Sequence, residues 1–126
     1  MTETASITQS PTTSQSAAAQ ISTGAVQLLH KHTGRGPTKA RTTINADTVM
    51  IVMADTLTRA ERTLVDNGFE KSVLSTRHEF QMAMREELVA LVERHVERKV
   101  IAFMSDNHVD PDYAAEVFVL EPPEVG

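Results

Sequence analysis

The chain has 126 residues, a length that allows one domain with a terminal extension but not two independent cores. It contains no cysteine, which excludes a disulfide framework, a thiolate metal site and a cysteine nucleophile. A formal net charge of −5, with four Phe, one Tyr and no Trp, argues against nucleic acid as the main partner. No apolar run is long enough to span a bilayer and no signal peptide is evident, so a cytoplasmic protein without direct membrane insertion is expected.

The two ends of the chain differ in composition from its centre. Residues 1–16 are rich in Ser, Thr and Gln and have almost no large apolar side chain, which is typical of a disordered extension. Residues 17–121 are predicted to form a single domain. Residues 122–126, which begin with two prolines, are predicted to be a C-terminal tail.

The first half of the domain has the pattern of a helix followed by a hairpin. Apolar residues recur at helical spacing from Ser16 to His32, and Gly34 is placed to cap the helix. Residues 40–46 alternate between apolar and polar, and residues 48–54 are apolar almost throughout. Turn-forming residues separate these two segments, which predicts a β-hairpin.

The second half is predicted to contain two helices and a second hairpin. Thr58 and Glu61 have capping-box spacing and open a short helix that ends near Gly68. A longer helix is expected from Ser72 to Arg98, because apolar residues follow one stripe along it. Strands are predicted at residues 99–105 and 113–120, with a polar loop at residues 106–111 between them.

These elements predict an α+β fold with the order α-β-β-α-α-β-β. An antiparallel sheet of about four strands would form from the two hairpins, with the helices packed on one face. The other face would then need cover, because the strand at residues 48–54 is apolar on both sides. A homodimer through that face, or contact with a partner, would supply the cover.

A basic, glycine-containing segment is the first candidate site. Glycines let backbone N–H groups converge on an anion and the cationic side chains add charge, so a small anion or a protein partner could bind there. The alternative interpretation is a helix cap followed by a solvated basic turn. The residues concerned are Gly34, Arg35, Gly36, Pro37, Thr38, Lys39 and Arg41.

A polar, mainly acidic segment is the second candidate site. Its oxygen and imidazole donors are those of divalent metal sites, so it could serve a small metal- or ligand-dependent enzyme or binding protein. The alternative is a turn with solvated acids, and the identity of any metal stays open. The residues are Ser105, Asp106, Asn107, His108, Asp110 and Asp112. The two segments could also pair with each other through Arg35 or Lys39, within one subunit or across a dimer.

Three separated motifs resemble the MpsC-like family of bacterial proteins. They read GRGPTKARTTI (Gly34–Ile44), LTRAERTLV (Leu57–Val65) and KVIAFMSDNHVDPDYAAEVFVLE (Lys99–Glu121), and the resemblance extends from about Ile21 to Glu121. The family is named for a cation-translocating system that generates membrane potential and is linked to inorganic carbon uptake. Its MpsC-like component is a small protein beside large membrane subunits.

The resemblance implies an accessory or regulatory domain that contacts a membrane transporter subunit and is peripheral to the membrane. The sequence shows no catalytic constellation, so a non-catalytic protein without a cofactor is predicted. The metal- or ligand-dependent alternative at Asp106–Asp112 remains open at this point.

Overall fold

The protein was analysed as a computed structural model, which describes residues 2–4 and 16–123. In chain order the described elements are β1 (Thr2–Thr4), α1 (Ala17–Thr33), β2 (Lys39–Asn45), β3 (Thr48–Ala54), α2 (Arg59–Asp66), α3 (Glu70–Ala83), α4 (Arg85–Val96), β4 (Val100–Val109) and β5 (Asp112–Leu120).

Helix α1 begins and ends where its residues predict. The Ser16 hydroxyl accepts a hydrogen bond from the Ala19 N–H at 3.1 Å, which caps the N-terminus. At the other end Gly34 adopts φ 79°, and its N–H donates to the His30 carbonyl. Glycine is suited to this left-handed position because it has no Cβ to clash with the backbone.

The predicted capping box of helix α2 is also confirmed. The Glu61 N–H donates to the Thr58 hydroxyl at 3.2 Å, and the Thr58 N–H donates to the Glu61 carboxylate at 2.8 Å. Two N–H groups at the helix start are therefore satisfied reciprocally.

We expect Thr58→Ala to lower the free energy of unfolding by about 1 kcal/mol, because it leaves an N–H at the helix start without its side-chain acceptor. Chemical denaturation measures the change. Thr63→Ala, in the exposed part of the same helix, is the matched control and should change stability by less than about 0.5 kcal/mol. Equal losses in the two variants would contradict a stabilising cap.

The single long helix predicted from Ser72 to Arg98 is wrong, because the chain forms two helices that meet at Met84. The Met84 side chain is buried, and the apolar stripe continues through it from Phe80 to Leu88. No Gly or Pro lies at the break, so the apolar stripe alone predicts one continuous helix. The break lets α3 lie against β4 while α4 packs on α1 and β4.

The sheet confirms the predicted α+β class and adds one strand. Its strands are all antiparallel and lie in the order β1-β2-β3-β5-β4. The two predicted hairpins are β2–β3 and β4–β5. The core lies between one face of this sheet and helices α1 and α4, and its fully buried members include Ile21, Leu88 and Phe118. Among the described residues, helices therefore cover one face only, as predicted.

A smaller core joins α2 and α3 to the far end of β4. It is made of Leu57, Val73 and Val109, with Val65 and Leu74 packed against it. The helical layer therefore rests on two apolar clusters rather than one.

The polar loop predicted at residues 106–111 is wrong, because β4 continues to Val109 and β5 begins at Asp112. Only Asp110 and Pro111, joined by a cis peptide bond, form the turn. Side chains alternate between the two faces along a strand. Asp106 therefore lies on the sheet face away from the helices, and Asn107 lies on the helix-covered face.

The predicted terminal extensions lie partly outside the described residues. Thr2–Thr4 pairs with β2 as a short edge strand, although residues 1–16 were predicted to be disordered. Residues 1, 5–15 and 124–126 are not described, so the division into a tail, a domain at residues 17–121 and a second tail stays a prediction.

Candidate functional site

A cavity of about 220 Å³ opens between the C-terminal end of α1, helix α3 and the inner face of β5. Exposed side chains, including His32, Thr76 and Phe80, lie at its mouth. Buried side chains form its interior, namely Leu29, Arg77, Gln81, Met84, Ala114 and Glu116. The cavity thus combines apolar walls with a few convergent polar groups, the usual composition of a small-molecule site.

Arg77 is the central cation of the cavity and is 7% exposed. Its Nη1 donates to both carboxylate oxygens of Glu61, at 3.0 and 3.3 Å. Its Nη2 donates to the Thr56 hydroxyl at 2.8 Å, and its Nε donates to the Asn107 side-chain oxygen at 3.0 Å. All three guanidinium nitrogens therefore have protein partners, and the Glu61 carboxylate balances the buried charge.

Asp112 continues this network towards α2. Its carboxylate accepts from the Thr56 hydroxyl at 2.9 Å and from the Leu57 N–H at 2.8 Å, and Arg62 lies 3.5 Å away. The Thr56 hydroxyl therefore accepts from Arg77 and donates to Asp112. This relay fixes the start of α2 against the end of the β4–β5 hairpin.

Glu116 is the second ionisable group of the interior and is 1% exposed. Its Oε2 accepts from the Gln81 amide at 3.1 Å, and Gln81 exchanges two hydrogen bonds with Asn107. Burial raises the pKa of Glu116 to about 7, although the Ser105 hydroxyl, the Gln81 amide and the Arg77 charge each lower it. A carboxyl group with this pKa gains or loses its proton near neutral pH.

One oxygen of Glu116 has no partner among the described residues. Glu116 Oε1 and the Ser105 hydroxyl are both buried without a hydrogen bond, although Ser105 is the cross-strand neighbour of Glu116. The hydroxyl is close enough to lower the pKa of the carboxyl, but the pair falls short of hydrogen-bond geometry. The buried oxygen therefore keeps capacity for a proton or another donor.

The basic segment lies next to the cavity but is largely engaged with the protein itself. The Gly34 N–H donates to His30, the Arg35 N–H to the Thr33 hydroxyl and the Thr38 N–H to Ala54. The Arg35 guanidinium binds the Asp55 carboxylate at 2.6 Å. Within the subunit Arg35 is thus paired with Asp55, and not with Asp106 or Asp110.

The other residues of the basic segment have different surroundings. Gly36 lies close to Val26, where a Cβ would come within 3.2 Å of a Val26 methyl group, and Pro37 is buried. Lys39 and Arg41 are exposed on β2, on the sheet face away from the helices. The segment's cations therefore do not converge, and anion binding there stays a prediction.

A protein-family model described as "Na+-translocating membrane potential-generating system (MpsC)" matches residues 13–122. The match covers most of the chain. The chain belongs to the MpsC family. Comparisons with curated proteins and with solved structures give no match. In the described part of this MpsC-family chain, no helix is both long and apolar enough to cross a membrane.

The polar segment of this MpsC-family chain is divided between the two faces of the sheet. Ser105, Asn107 and Asp112 face the helices; Asn107 and Asp112 belong to the buried network, and the Ser105 hydroxyl is buried without a hydrogen bond. Asp106 and His108 lie on the sheet face away from the helices, and Asp110 is exposed in the turn. The His108 ring nitrogen Nδ1 lies 2.7 Å from the Pro111 carbonyl oxygen. Among the described residues no three His, Asp or Glu side chains form a group able to hold a metal ion.

The central residues of the cavity, Arg77 and Glu116, were not predicted as site residues. Arg77 lies within the apolar stripe of the predicted long helix, and Glu116 lies within the strand predicted at residues 113–120. The available signal was a charge at an inward-facing position in each case: an Arg within the stripe and a Glu within the apolar strand YAAEVFVL. Buried charges require partners, so the two positions predict a shared polar cluster.

Proposed function

We propose that this chain is a non-catalytic accessory or regulatory component of a membrane-potential-generating system. It is cytoplasmic and is held at the membrane by a polytopic partner subunit. Membership of the MpsC family supports the system. The observation that carries the regulatory role is the cavity that contains Glu116, a buried carboxyl with a pKa of about 7 and one unpartnered oxygen.

The contacts of the cavity favour regulation over catalysis. Arg77 is held by Glu61, Thr56 and Asn107, so its charge serves the fold rather than a substrate. The polar side chains beside Glu116 are Gln81 and Ser105, and Glu61, the other carboxylate that lines the cavity, is bound by Arg77. A proton or a small ligand that reaches this carboxyl changes the charge of the interior without any covalent step.

The walls define the ligand that fits. Leu29, Phe80 and Met84 accept an apolar body, and the Glu116–Gln81 end accepts a hydrogen-bond donor such as a small ammonium group. A small anion at the basic segment is the other possibility for this function, and it rests on the exposed side chains of Lys39 and Arg41. The cavity is favoured because its interior is preformed and protected from water.

Co-purification from gently solubilised native membranes tests the proposal. We expect tagged protein to recover a polytopic subunit in near-stoichiometric amount, as identified by mass spectrometry. The recovery should differ between about pH 6 and about pH 8, because Glu116 changes its charge between them. In Glu116→Gln the recovery should no longer depend on pH, whereas the exposed control Glu121→Gln should behave as the wild type.

Two results would contradict the proposal, each in a different part. Recovery of the chain alone at both pH values would remove the accessory role. Recovery of a partner with the same pH response in wild type and Glu116→Gln would retain the accessory role and remove the cavity carboxyl as its regulator.

A further inference from the structure

The face of the sheet away from the helices is apolar at its centre. Strands β3 and β5 contribute Met50, Val52, Ala115 and Val117 to it. Met50 is 38% exposed and Met104, on the neighbouring strand β4, is 53% exposed. Contiguous apolar surface of this kind marks an interaction site. We call this surface the open face.

The strand register arranges the open face in rows that run across the sheet. One row consists of Arg41, Val52, Ala115 and Asp106, in that order from β2 to β4. The row beside it consists of Thr43, Met50, Val117 and Met104. The row on its other side consists of Lys39, Ala54, Tyr113 and His108. Each row passes from β2, through one side chain of β3 and one of β5, to β4.

Opposite charges lie at the two ends of the first row. Arg41 on β2 and Asp106 on β4 are both exposed, and they are separated by the full width of β3 and β5. Neither side chain forms an ion pair with another described side chain. The row has a cation at one end and an anion at the other. It is therefore complementary in charge to the same row of a second copy that runs in the opposite direction.

We propose that the open face binds a second copy of this chain, related by a two-fold axis that runs parallel to the strands. In the second copy, this axis reverses the direction of each row across the sheet. The position of the row along the strands stays the same. Arg41 then lies opposite Asp106 of the second copy, and Asp106 lies opposite Arg41 of the second copy. Two twisted sheets that pack face to face stay aligned within about 30°, which preserves this correspondence.

Side-chain packing in the second and third rows is also compatible with this axis. In the second row Met50 meets Val117 of the second copy, so apolar side chains pack at the centre. In the third row Tyr113, which is 47% exposed, meets Ala54 of the second copy, and the small side chain leaves room for the ring. At both of these positions a large side chain thus lies opposite a smaller apolar one.

A two-fold axis perpendicular to the strands is disfavoured by the charges. That axis places β2 on β2 of the second copy and β4 on β4. Arg41 would then approach Arg41 of the second copy and Asp106 would approach Asp106, and like charges across an interface oppose association. The charge pattern therefore selects one orientation as well as one partner.

Single and mixed charge reversals test this interface. We expect the wild-type full chain to sediment as a dimer, and Arg41→Glu or Asp106→Arg alone to raise the dimer dissociation constant by about 10-fold or more. An equimolar mixture of the two variants should restore dimers, because each cross-copy pair then joins opposite charges. The double variant R41E/D106R should dimerise for the same reason. Arg94→Glu, on the exposed surface of α4, is the matched control and should dimerise as the wild type does.

Several outcomes would overturn the proposal. A wild-type monomer at all concentrations would leave the open face to residues 5–15 or to another protein. Dimers that neither single reversal weakens would place the interface elsewhere. Reversals that weaken dimers without restoration in the mixture would remove the Arg41–Asp106 pairing and with it the parallel axis. Circular dichroism of each variant identifies a loss of dimer that is due to unfolding.

Discussion

Arg77→Ala is expected to lower the free energy of unfolding by about 3–5 kcal/mol, one of the two largest effects in this chain. The substitution removes the cation that balances Glu61, leaves the buried Thr56 hydroxyl without its donor, and leaves the Asn107 oxygen with the 3.3 Å bond from Gln81. An uncompensated buried charge destabilises far more than the loss of an exposed ion pair. Urea denaturation followed by circular dichroism measures the change.

Arg62→Ala is the matched control for this prediction. Arg62 also contacts the network, through Asp112, but its side chain is 43% exposed and the contact distance is 3.5 Å. Its removal should cost less than about 1 kcal/mol. If Arg77→Ala does not fold, Arg77→Lys can replace it, because lysine keeps the charge but lacks the planar guanidinium group and its several N–H donors. Arg77→Lys should still be less stable than Arg62→Ala. Equal stability of the Arg77 and Arg62 variants would show that the buried network does not stabilise the fold.

Glu116→Gln is expected to change the dependence of stability on pH. The pKa of Glu116 is raised from 4.5 to about 7, so the folded state holds this proton more tightly than the unfolded state does. The stabilisation is complete below pH 4.5 and is lost as the pH rises to about 7. At about 1.4 kcal/mol per pKa unit, the loss is on the order of 3 kcal/mol.

The Gln variant removes this titration and keeps an amide oxygen as acceptor for Gln81. The difference in free energy of unfolding between Glu116→Gln and wild type should therefore increase from pH 4.5 to about 7 and stay constant above that range. Denaturation curves at several pH values measure the difference. Glu121→Gln, at an exposed position, should give no such change. A constant difference between Glu116→Gln and wild type across this range would rule out a raised pKa at Glu116.

The fold was predictable where local chemistry and tertiary packing agree. The Thr58–Glu61 capping box, the Gly34 cap and the two hairpins follow from residue types at fixed spacings. The break at Met84 was not predictable in this way, because both helices pack on the same face of the sheet and share one apolar stripe. Segment 106–109 was misassigned because Asp, Asn and His are typical of turns, whereas here Asn107 is held in a strand by Arg77 and Gln81.

The site was less predictable than the fold, because its parts are far apart in the chain. Thr56, Arg77 and Glu116 come from three separate segments and meet only in the folded state. The predicted basic and polar segments are concentrated in sequence, yet the sheet separates their members. Arg35 binds Asp55, and the alternation of β4 sends Asp106 and Asn107 to opposite faces. Concentration of polar residues along the chain is therefore a weak guide to their convergence in space.

The irregularity in β4 has a consequence for how copies of the chain can assemble. The register of β4 against β5 shifts between Val100 and Ala102, so Ile101 is an extra residue in a strand at the border of the described sheet. A bulge of this kind twists a border strand and discourages the addition of further strands beside it. Growth by strand addition is open-ended and leads to fibres, whereas contact through a broad surface about a two-fold axis stops at two. At the β4 border, the bulge thus disfavours growth into a polymer by strand addition.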